Sequence, residues 1–114
     1  MFKNHVDLIG FIGSDPETRQ LENGASMTYF SLATKTTWKN EGGSYDSQTE
    51  WHRIVVWGKL GQFAARLAKD AHIEIEGQLR QRKNEKPVLD FPLFPQNVIS
   101  LGSLRAFTFA LPSR

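Results

Sequence analysis

Residues 49–57 read Thr-Glu-Trp-His-Arg-Ile-Val-Val-Trp, and this stretch decides the fold. β-Branched and aromatic residues dominate it, and neither Gly nor Pro interrupts it, so it predicts a β-strand. Side chains alternate between the two faces of a strand. One face is therefore predicted to carry Trp51, Arg53, Val55 and Trp57. The other face is predicted to point into the core and carries His52, Ile54 and Val56.

The face with odd residue numbers combines two indoles with a guanidinium between them. Flat aromatic surfaces beside a fixed positive charge suit unstacked bases and the phosphates that join them. The alternative is that both Trp residues belong to the core and that Arg53 is solvated at a rim. A buried face would have to hide an unpaired charge, which is costly, so the pattern favours an exposed binding face.

Length and composition limit the class of protein. A chain of 114 residues is predicted to form one domain. The absence of cysteine excludes disulfides, thiolate metal sites and cysteine catalysis. The sequence contains no apolar run near the ~20 residues of a membrane span and no signal peptide, so we expect a cytoplasmic protein that does not enter a membrane. A formal net charge of +2 permits nucleic-acid binding without arguing for it.

The remaining patterns predict four more strands and one helix. Alternation or β-branched composition predicts strands over residues 6–12 (resumed at 17–21), 26–38, 72–82 and 88–101, and helical spacing predicts a helix over 59–70. Residues 39–48 are polar and Gly-rich and are predicted to form a loop. Pro92 and Pro95 predict that the last strand is short, bent or at an edge. We expect one domain over residues 1–102 and a C-terminal extension over 103–114, forming an added edge strand or staying disordered.

The order of three strands, a helix and two strands predicts an all-β fold, a five-stranded OB-fold Greek-key barrel with a short helix between strands 3 and 4. Such barrels bind oligonucleotides or oligosaccharides on the face around strands 2 and 3. This predicts that Trp38 shares one surface with Trp51, Arg53 and Trp57. A basic group near one of its loops consists of Arg80, Arg82 and Lys83. The alternative is that these three side chains are simply solvated at the exposed end of a strand.

Four blocks of the sequence are similar to those of a known family. The longest is Gln48-Thr49-Glu50-Trp51-His52-Arg53-Ile54-Val55-Val56-Trp57-Gly58-Lys59-Leu60. Shorter blocks are Val6-Asp7-Leu8-Ile9-Gly10, Phe30-Ser31-Leu32-Ala33-Thr34 and Ile75-Glu76-Gly77-Gln78-Leu79-Arg80. Through these blocks the sequence resembles the bacterial-type single-stranded DNA-binding proteins. The resemblance covers roughly residues 4–101. It implies sequence-independent binding and protection of single-stranded DNA in replication, recombination or repair.

The resemblance also implies residue roles and partners. Base stacking is implied for Trp38, Trp51 and Trp57, and phosphate contacts for Arg53, Lys59, Arg80, Arg82 and Lys83. The implied assembly is a homotetramer, with a dimer as the alternative, and no cofactor is implied. Family members usually end in an acidic tip that recruits replication and repair enzymes, whereas this sequence ends in Leu111-Pro112-Ser113-Arg114. Either the chain is shortened or this member works without that recruitment. Asn84 stands where relatives frequently carry a further aromatic residue.

Three other classes stay open from the sequence. A primosome-type OB accessory protein, a dimer bridging DNA and replication proteins, fits the missing acidic tip. An OB module for oligosaccharides or proteins fits the fold alone, and RNA binding is compatible with stacking because stacking does not sense the 2′-hydroxyl. An enzyme is not expected, since no nucleophile–base arrangement occurs and no catalytic residue is predicted. His5, His52 and His72 match no compact metal site, so no metal is predicted.

Overall fold

The computed structural model describes residues 1–22, 24–81 and 97–108. Its strands are β1 (Val6–Ile12), β2 (Glu17–Gln20), β3 (Ser26–Lys39), β4 (Tyr45–Trp57), β5 (His72–Gln81) and β6 (Asn97–Ala106). The helix α1 (Gly58–Ala64) lies between β4 and β5.

The strands form one sheet that closes on itself. Its order is β1-β5-β6-β4-β3-β2, and β1 also pairs with β3, which closes a barrel of five strands and leaves β2 as an extension along β3. Closure depends on Gly10, because a Cβ atom there would lie 2.1 Å from the carbonyl oxygen of Ala33. Since β2 resumes β1 in chain order, the barrel has the predicted five strands with the helix between the third and fourth. The predicted OB-fold is therefore confirmed.

The core lies inside the barrel and is built from the inward side chains of every barrel strand. It consists of Ile12, Phe30, Leu32, Ile54, Val56, Ile73, Ile75, Ile99 and Leu101, joined by Ala64, Leu67 and Ala71 from α1 and the segment after it. Ile54 and Val56 are fully buried, as the alternation in residues 49–57 predicts. The even-numbered face of β4 is thereby fixed as the inner face within the barrel.

The helix is shorter than the predicted range of 59–70. After Ala64 the chain continues in turns, with backbone hydrogen bonds from Leu67 N to Ala64 O at 3.1 Å and from Ala71 N to Ala68 O at 3.0 Å. Asp70 adopts a positive φ of 75°. This irregular path carries Leu67 and Ala71 into the core, so burial of these two side chains overrides continuation of the helix.

Strands β3 and β4 extend beyond the barrel as a two-stranded arm, which we define as residues 35–50. All of its residues are exposed except Asn40, which is half-buried. The loop predicted over residues 39–48 is shorter, because β4 already begins at Tyr45. The Asn40 side chain closes the turn by accepting hydrogen bonds from Gly42 N at 2.9 Å and Ser44 N at 3.1 Å.

Strand β6 differs from the predicted range of 88–101. It runs from Asn97 to Ala106, so residues 103–106 of the predicted extension continue the strand and pair with β5. The register shifts between Glu76 and Gly77, which leaves Gly102 as an extra residue. Residues 88–96, with Pro92 and Pro95, lie outside the described residues. Within the described part of the chain, α1 and every other helical segment are too short to cross a membrane.

Candidate nucleic-acid interface

The candidate interface is the outward face of β3 and β4, which we call the track face. Cross-strand partners share a face, and β3 and β4 pair in unbroken register from Met27↔Trp57 to Lys39↔Tyr45. The track face therefore collects the odd-numbered residues of both strands. From β4 these are Tyr45, Ser47, Thr49, Trp51, Arg53, Val55 and Trp57, and from β3 they are Met27, Tyr29, Ser31, Ala33, Lys35, Thr37 and Lys39. Neither list contains a carboxylate.

The two indoles of the track face are exposed. Trp51 is 61% exposed and Trp57 is 47% exposed, while Arg53 between them is half-buried. The Trp51 ring lies over Gly13, since a Cβ atom at Gly13 would come within 2.3 Å of Trp51 Cζ3. The turn after β1 thus supports this indole from below. Most of the Trp51 surface stays accessible to a ligand.

A small apolar cluster lies in the track face between Arg53 and Trp57. Met27, Val55 and Val98 are buried against one another, and Tyr29 packs against them. The Tyr29 hydroxyl donates a hydrogen bond of 2.7 Å to Glu17 Oε1. Burial and then this hydrogen bond raise the pKa of Tyr29, so the phenol stays neutral at physiological pH. Val55 therefore belongs to the outward face, as predicted, but is covered by its neighbours there.

A cleft opens beside Arg53 under the turn that joins β1 and β2. Its volume is about 130 Å³, and it is lined by Ser14, Asp15, Glu17, Tyr29, Phe30, Ser31, Arg53 and Ile54. The carboxylate of Asp15 accepts a hydrogen bond of 2.7 Å from Lys69 N, which fixes this turn against the segment after α1. One wall of the cleft is therefore tied to the segment that follows α1.

Two of the other predicted phosphate contacts, Lys59 and Arg80, lie beside this face. Arg80 is directly opposite Val98, and Ile54 on β4 is opposite Ile99 on β6. Arg80 consequently points outward two strands from Arg53, at a backbone separation of about 10 Å. Lys59 is exposed at the start of α1, next to Trp57. Arg82 and Lys83 lie outside the described residues.

Trp38 is not on the track face. It pairs with Asp46, and the even-numbered residues of the arm form the opposite surface, which we call the reverse face. Trp38 is 44% exposed there. The carboxylate of its cross-strand partner Asp46 lies on the same face, and Glu50 adds a second carboxylate to that face four residues further along β4. The sequence-based prediction of one surface for all three Trp residues thus holds for Trp51 and Trp57 only.

The track face also carries Lys35, Lys39 and Tyr45, which the sequence patterns did not single out. Lys35 pairs with Thr49 and Lys39 pairs with Tyr45, so all three side chains lie on the track face. Tyr45 is 70% exposed. Counting back from Trp51 in steps of two residues would have found Tyr45, had residues 45–48 been assigned to the strand.

The three histidines occupy separate environments. His52 is within 2.9 Å of the Thr34 hydroxyl, and His72 stacks on Phe11 with ring centroids 4.5 Å apart. His5 is exposed, and its ring nitrogen lies with carboxylate oxygens of Asp7 and Glu76 in a group whose atoms are all within 4.8 Å of one another. The histidines therefore do not form a joint site.

Acidic side chains crowd the outer surface of β1 and β5. A hydrogen bond with Glu74, followed by burial and by the charges of Glu74 and Glu76, raises the pKa of Asp7. The pKa of Glu74 is lowered, first by its hydrogen bond from Arg105, whose Nη2 is 2.9 Å from Glu74 Oε1. This surface is thus electrostatically unlike the track face.

The same outer surface also exposes apolar side chains. Ile9, Phe11 and Phe107 are all about half exposed, and His72 lies between the two phenylalanine rings, 4.9 Å from Phe107 by ring centroids. Asp7, Ile9 and Phe11 pair with Glu76, Glu74 and His72 across β1 and β5. An apolar and charged sheet surface of this kind is suited to contact with another protein surface.

Comparison with known proteins agrees with this fold. The family model described as the single-strand binding protein family matches residues 3–90. The chain belongs to the single-strand binding protein family. Single-stranded DNA-binding protein 1 of Chlorobaculum tepidum is 45% identical over 80 residues, which cover 69% of this chain and 49% of that protein. The chain thus spans about half the length of this curated family relative.

Two solved structures share the barrel. A Plasmodium falciparum SSB in complex with single-stranded DNA superposes with a TM-score of 0.73 at 26% identity, covering 93% of this chain and 96% of that one. A deletion mutant of the single-stranded DNA-binding protein from Thermus aquaticus has a TM-score of 0.75 at 22% identity, covering 91% of this chain and 50% of that one. The second likeness is one of fold alone.

Proposed function

We propose that this chain binds single-stranded DNA without sequence preference and protects it during replication, recombination or repair in the cytoplasm. The observation that carries the proposal is the track face itself, with Trp51 and Trp57 exposed on either side of Arg53. Each stacked base contributes roughly 1–3 kcal/mol and every base offers a π-face, so stacking is tolerant of sequence. Duplex DNA hides these faces, and the protein therefore prefers single strands.

Phosphate contacts supply the second part of the binding free energy. Arg53, Lys59 and Arg80 are the described candidates, and Arg82 and Lys83 follow Arg80 in the sequence. Basic side chains release counterions from the nucleic acid, so affinity falls as salt rises. The slope meant here is that of the logarithm of the binding constant against the logarithm of the salt concentration. Each phosphate contact with a single strand contributes about −0.7 to it, so five contacts give a slope near −3.5. No bond-making chemistry is needed, and we assign the chain no catalytic activity.

The test is a titration with oligo(dT) at several salt concentrations, with duplex DNA of the same length as control. The parent protein should bind the single strand with a slope at least as steep as about −3.5 and should bind the duplex far more weakly. Arg53→Gln should reduce the magnitude of that slope by about 0.7. A protein that binds neither DNA, or that binds both equally with a steep salt dependence, would refute the proposal. Oligo(U) in parallel measures the preference for DNA over RNA.

The proposal includes self-association as a tetramer through the outer surface of β1 and β5. Support comes from its exposed Ile9, Phe11 and Phe107, which a second copy would remove from water. Light scattering of the purified protein should give the mass of four chains, and Phe11→Glu should lower it. A dimeric mass would instead favour the primosome-type accessory role, which binding of replication proteins would then test.

A further inference from the structure

We propose that Tyr45 is a third base-stacking residue and that Lys35 and Lys39 are phosphate contacts, so that the bound strand continues from the barrel onto the arm. This inference rests on the proposed function. It extends the interface to a part of the chain that was expected to be a loop.

Register is the first argument. Tyr45, Trp51 and Trp57 are separated by six residues each, and an even separation keeps all three rings on the track face. At about 3.4 Å per residue, neighbouring rings are roughly 20 Å apart along the strand. The three aromatic residues therefore form an evenly spaced row that runs from the barrel to the tip of the arm.

Exposure is the second argument. Tyr45 is 70% exposed, more than Trp51 or Trp57. The arm is solvated on both faces, so the ring does not fill any core of the arm. A large exposed aromatic side chain has the property that stacking requires.

Charge is the third argument. Lys39 is the direct cross-strand partner of Tyr45, and Lys35 lies two residue pairs closer to the barrel. The arm has both of these cations on the track face and carries its strand carboxylates, Asp46 and Glu50, on the reverse face. A phosphate backbone is thus attracted to one face of the arm and repelled by the other.

The place of Tyr45 in the fold gives it a specific purpose. Trp51 and Trp57 lie on the part of β4 that belongs to the barrel, whereas Tyr45 lies at the far end of the arm. Binding of short strands then depends on the barrel alone, and binding of longer strands depends on the arm as well.

The experiment compares two lengths of oligo(dT), about 5 and about 15 nucleotides, near the two ends of the OB-fold site-size range. Tyr45→Val removes the ring and puts in its place another side chain that favours β-strands, whereas Tyr45→Phe keeps the ring. We expect Tyr45→Val to bind the longer oligonucleotide at least about fivefold more weakly, with the shorter one changed less than about twofold. Tyr45→Phe should match the parent on both lengths.

The lysines are tested through the salt slope. The double variant Lys35→Gln/Lys39→Gln should lower the magnitude of the slope by about 1.4 for the longer oligonucleotide and leave the shorter one unchanged. Lys69→Gln, at an exposed lysine beyond α1, is the matched control and should change neither slope. Equal effects of the two lysine variants would overturn the role of Lys35 and Lys39.

Trp51→Ala separates this inference from the proposed function. If Trp51→Ala binds both lengths weakly while Tyr45→Val equals the parent, the arm is not part of the interface and the proposed function stands. If the parent fails to bind either length, the proposed function itself fails. An equal loss on both lengths for Tyr45→Val and Tyr45→Phe would make Tyr45 a structural residue of the arm and overturn its stacking role.

Discussion

The track face and the reverse face are the two sides of the same β-ribbon, yet they differ in almost every property that matters to a polyanion. The track face carries Trp51 and Trp57 with Arg53 and no carboxylate from β3 or β4. The reverse face of the arm carries Trp38 with Asp46 opposite it, and Glu50 four residues further along β4. The Lys and Arg residues of β3 and β4 all have odd numbers and the Asp and Glu residues all have even numbers, so the pleat alone separates the two charges. Strand alternation can thus sort a nearly neutral sequence into one attractive and one repulsive surface.

The largest expected effect is that of Trp51→Ala. Loss of one stacked base at roughly 1–3 kcal/mol should weaken oligo(dT) binding by about 5- to 150-fold, equally for oligo(dA) and oligo(dT). Fluorescence anisotropy of labelled oligonucleotides measures this directly. Trp51→Phe is the control and should recover most of the affinity. A folded Trp51→Ala protein with parental affinity would remove the distinction between the two faces.

Gly13→Ala should have a smaller effect of the same kind. The new Cβ would lie 2.3 Å from the Trp51 ring, so the indole must shift from its support. We expect a loss on the order of tenfold, below that of Trp51→Ala. The double variant Gly13→Ala/Trp51→Ala should bind no more weakly than Trp51→Ala alone, because the substitution acts through the indole. Additive losses would show that Gly13 acts by another route.

The substitution Trp38→Ala tests whether the DNA also contacts the reverse face. Stacking by Trp38 stays a prediction, and the strand would have to reach the reverse face, past Asp46, to make that contact. We therefore expect a loss of no more than about threefold in the same anisotropy assay. A loss as large as that of Trp51→Ala would mean that the DNA contacts both faces of the arm.

The smallest effect on binding is expected on the outer surface of β1 and β5. The raised pKa of Asp7 means that its ionisation destabilises the folded state, so Asp7→Asn should raise Tm at pH 7. The gain should disappear below the ordinary pKa of 3.8, where Asp7 is protonated in both states. Glu74→Gln is the opposite case, because the pKa of Glu74 is lowered, and it should reduce Tm at pH 7.

Oligo(dT) affinity should stay at the parental value in both of these acidic-surface variants. If Asp7→Asn and Glu74→Gln changed Tm in the same direction at pH 7, the opposite pKa shifts assigned to Asp7 and Glu74 would be contradicted. A large change in affinity would mean that the DNA path is not confined to the track face.

The barrel was predictable because its signals are local. Alternation in residues 49–57 separates Ile54 and Val56 from Trp51 and Arg53 without knowledge of any partner strand. The same applies to Ile73 and Ile75 in β5. The end of the helix could not be predicted from local signals. Leu67 and Ala71 leave helical geometry because their side chains pack into a core that distant strands form.

The side of the arm on which Trp38 lies could have been predicted from the same kind of local signal. Trp38 has the parity of Phe30 and Leu32, whose side chains are buried in the core, so alternation along β3 places Trp38 on the reverse face. The grouping with Trp51 and Trp57 went wrong because it followed the strands named for the binding face and not the parity along β3. Tyr45 was missed for a different reason, because the polar residues 45–48 form a strand only through their partners on β3.

The most direct measurement of the central claim is to locate the tryptophans that the DNA quenches. The chain has three Trp residues, so Trp38→Phe leaves the two on the track face and Trp51→Phe/Trp57→Phe leaves the one on the reverse face. Both proteins keep an aromatic ring at each position, and binding stays measurable. Oligo(dT) should quench Trp38→Phe nearly as strongly as the parent and should barely quench the double variant. Quenching that persists in the double variant and disappears in Trp38→Phe would place the strand on the reverse face.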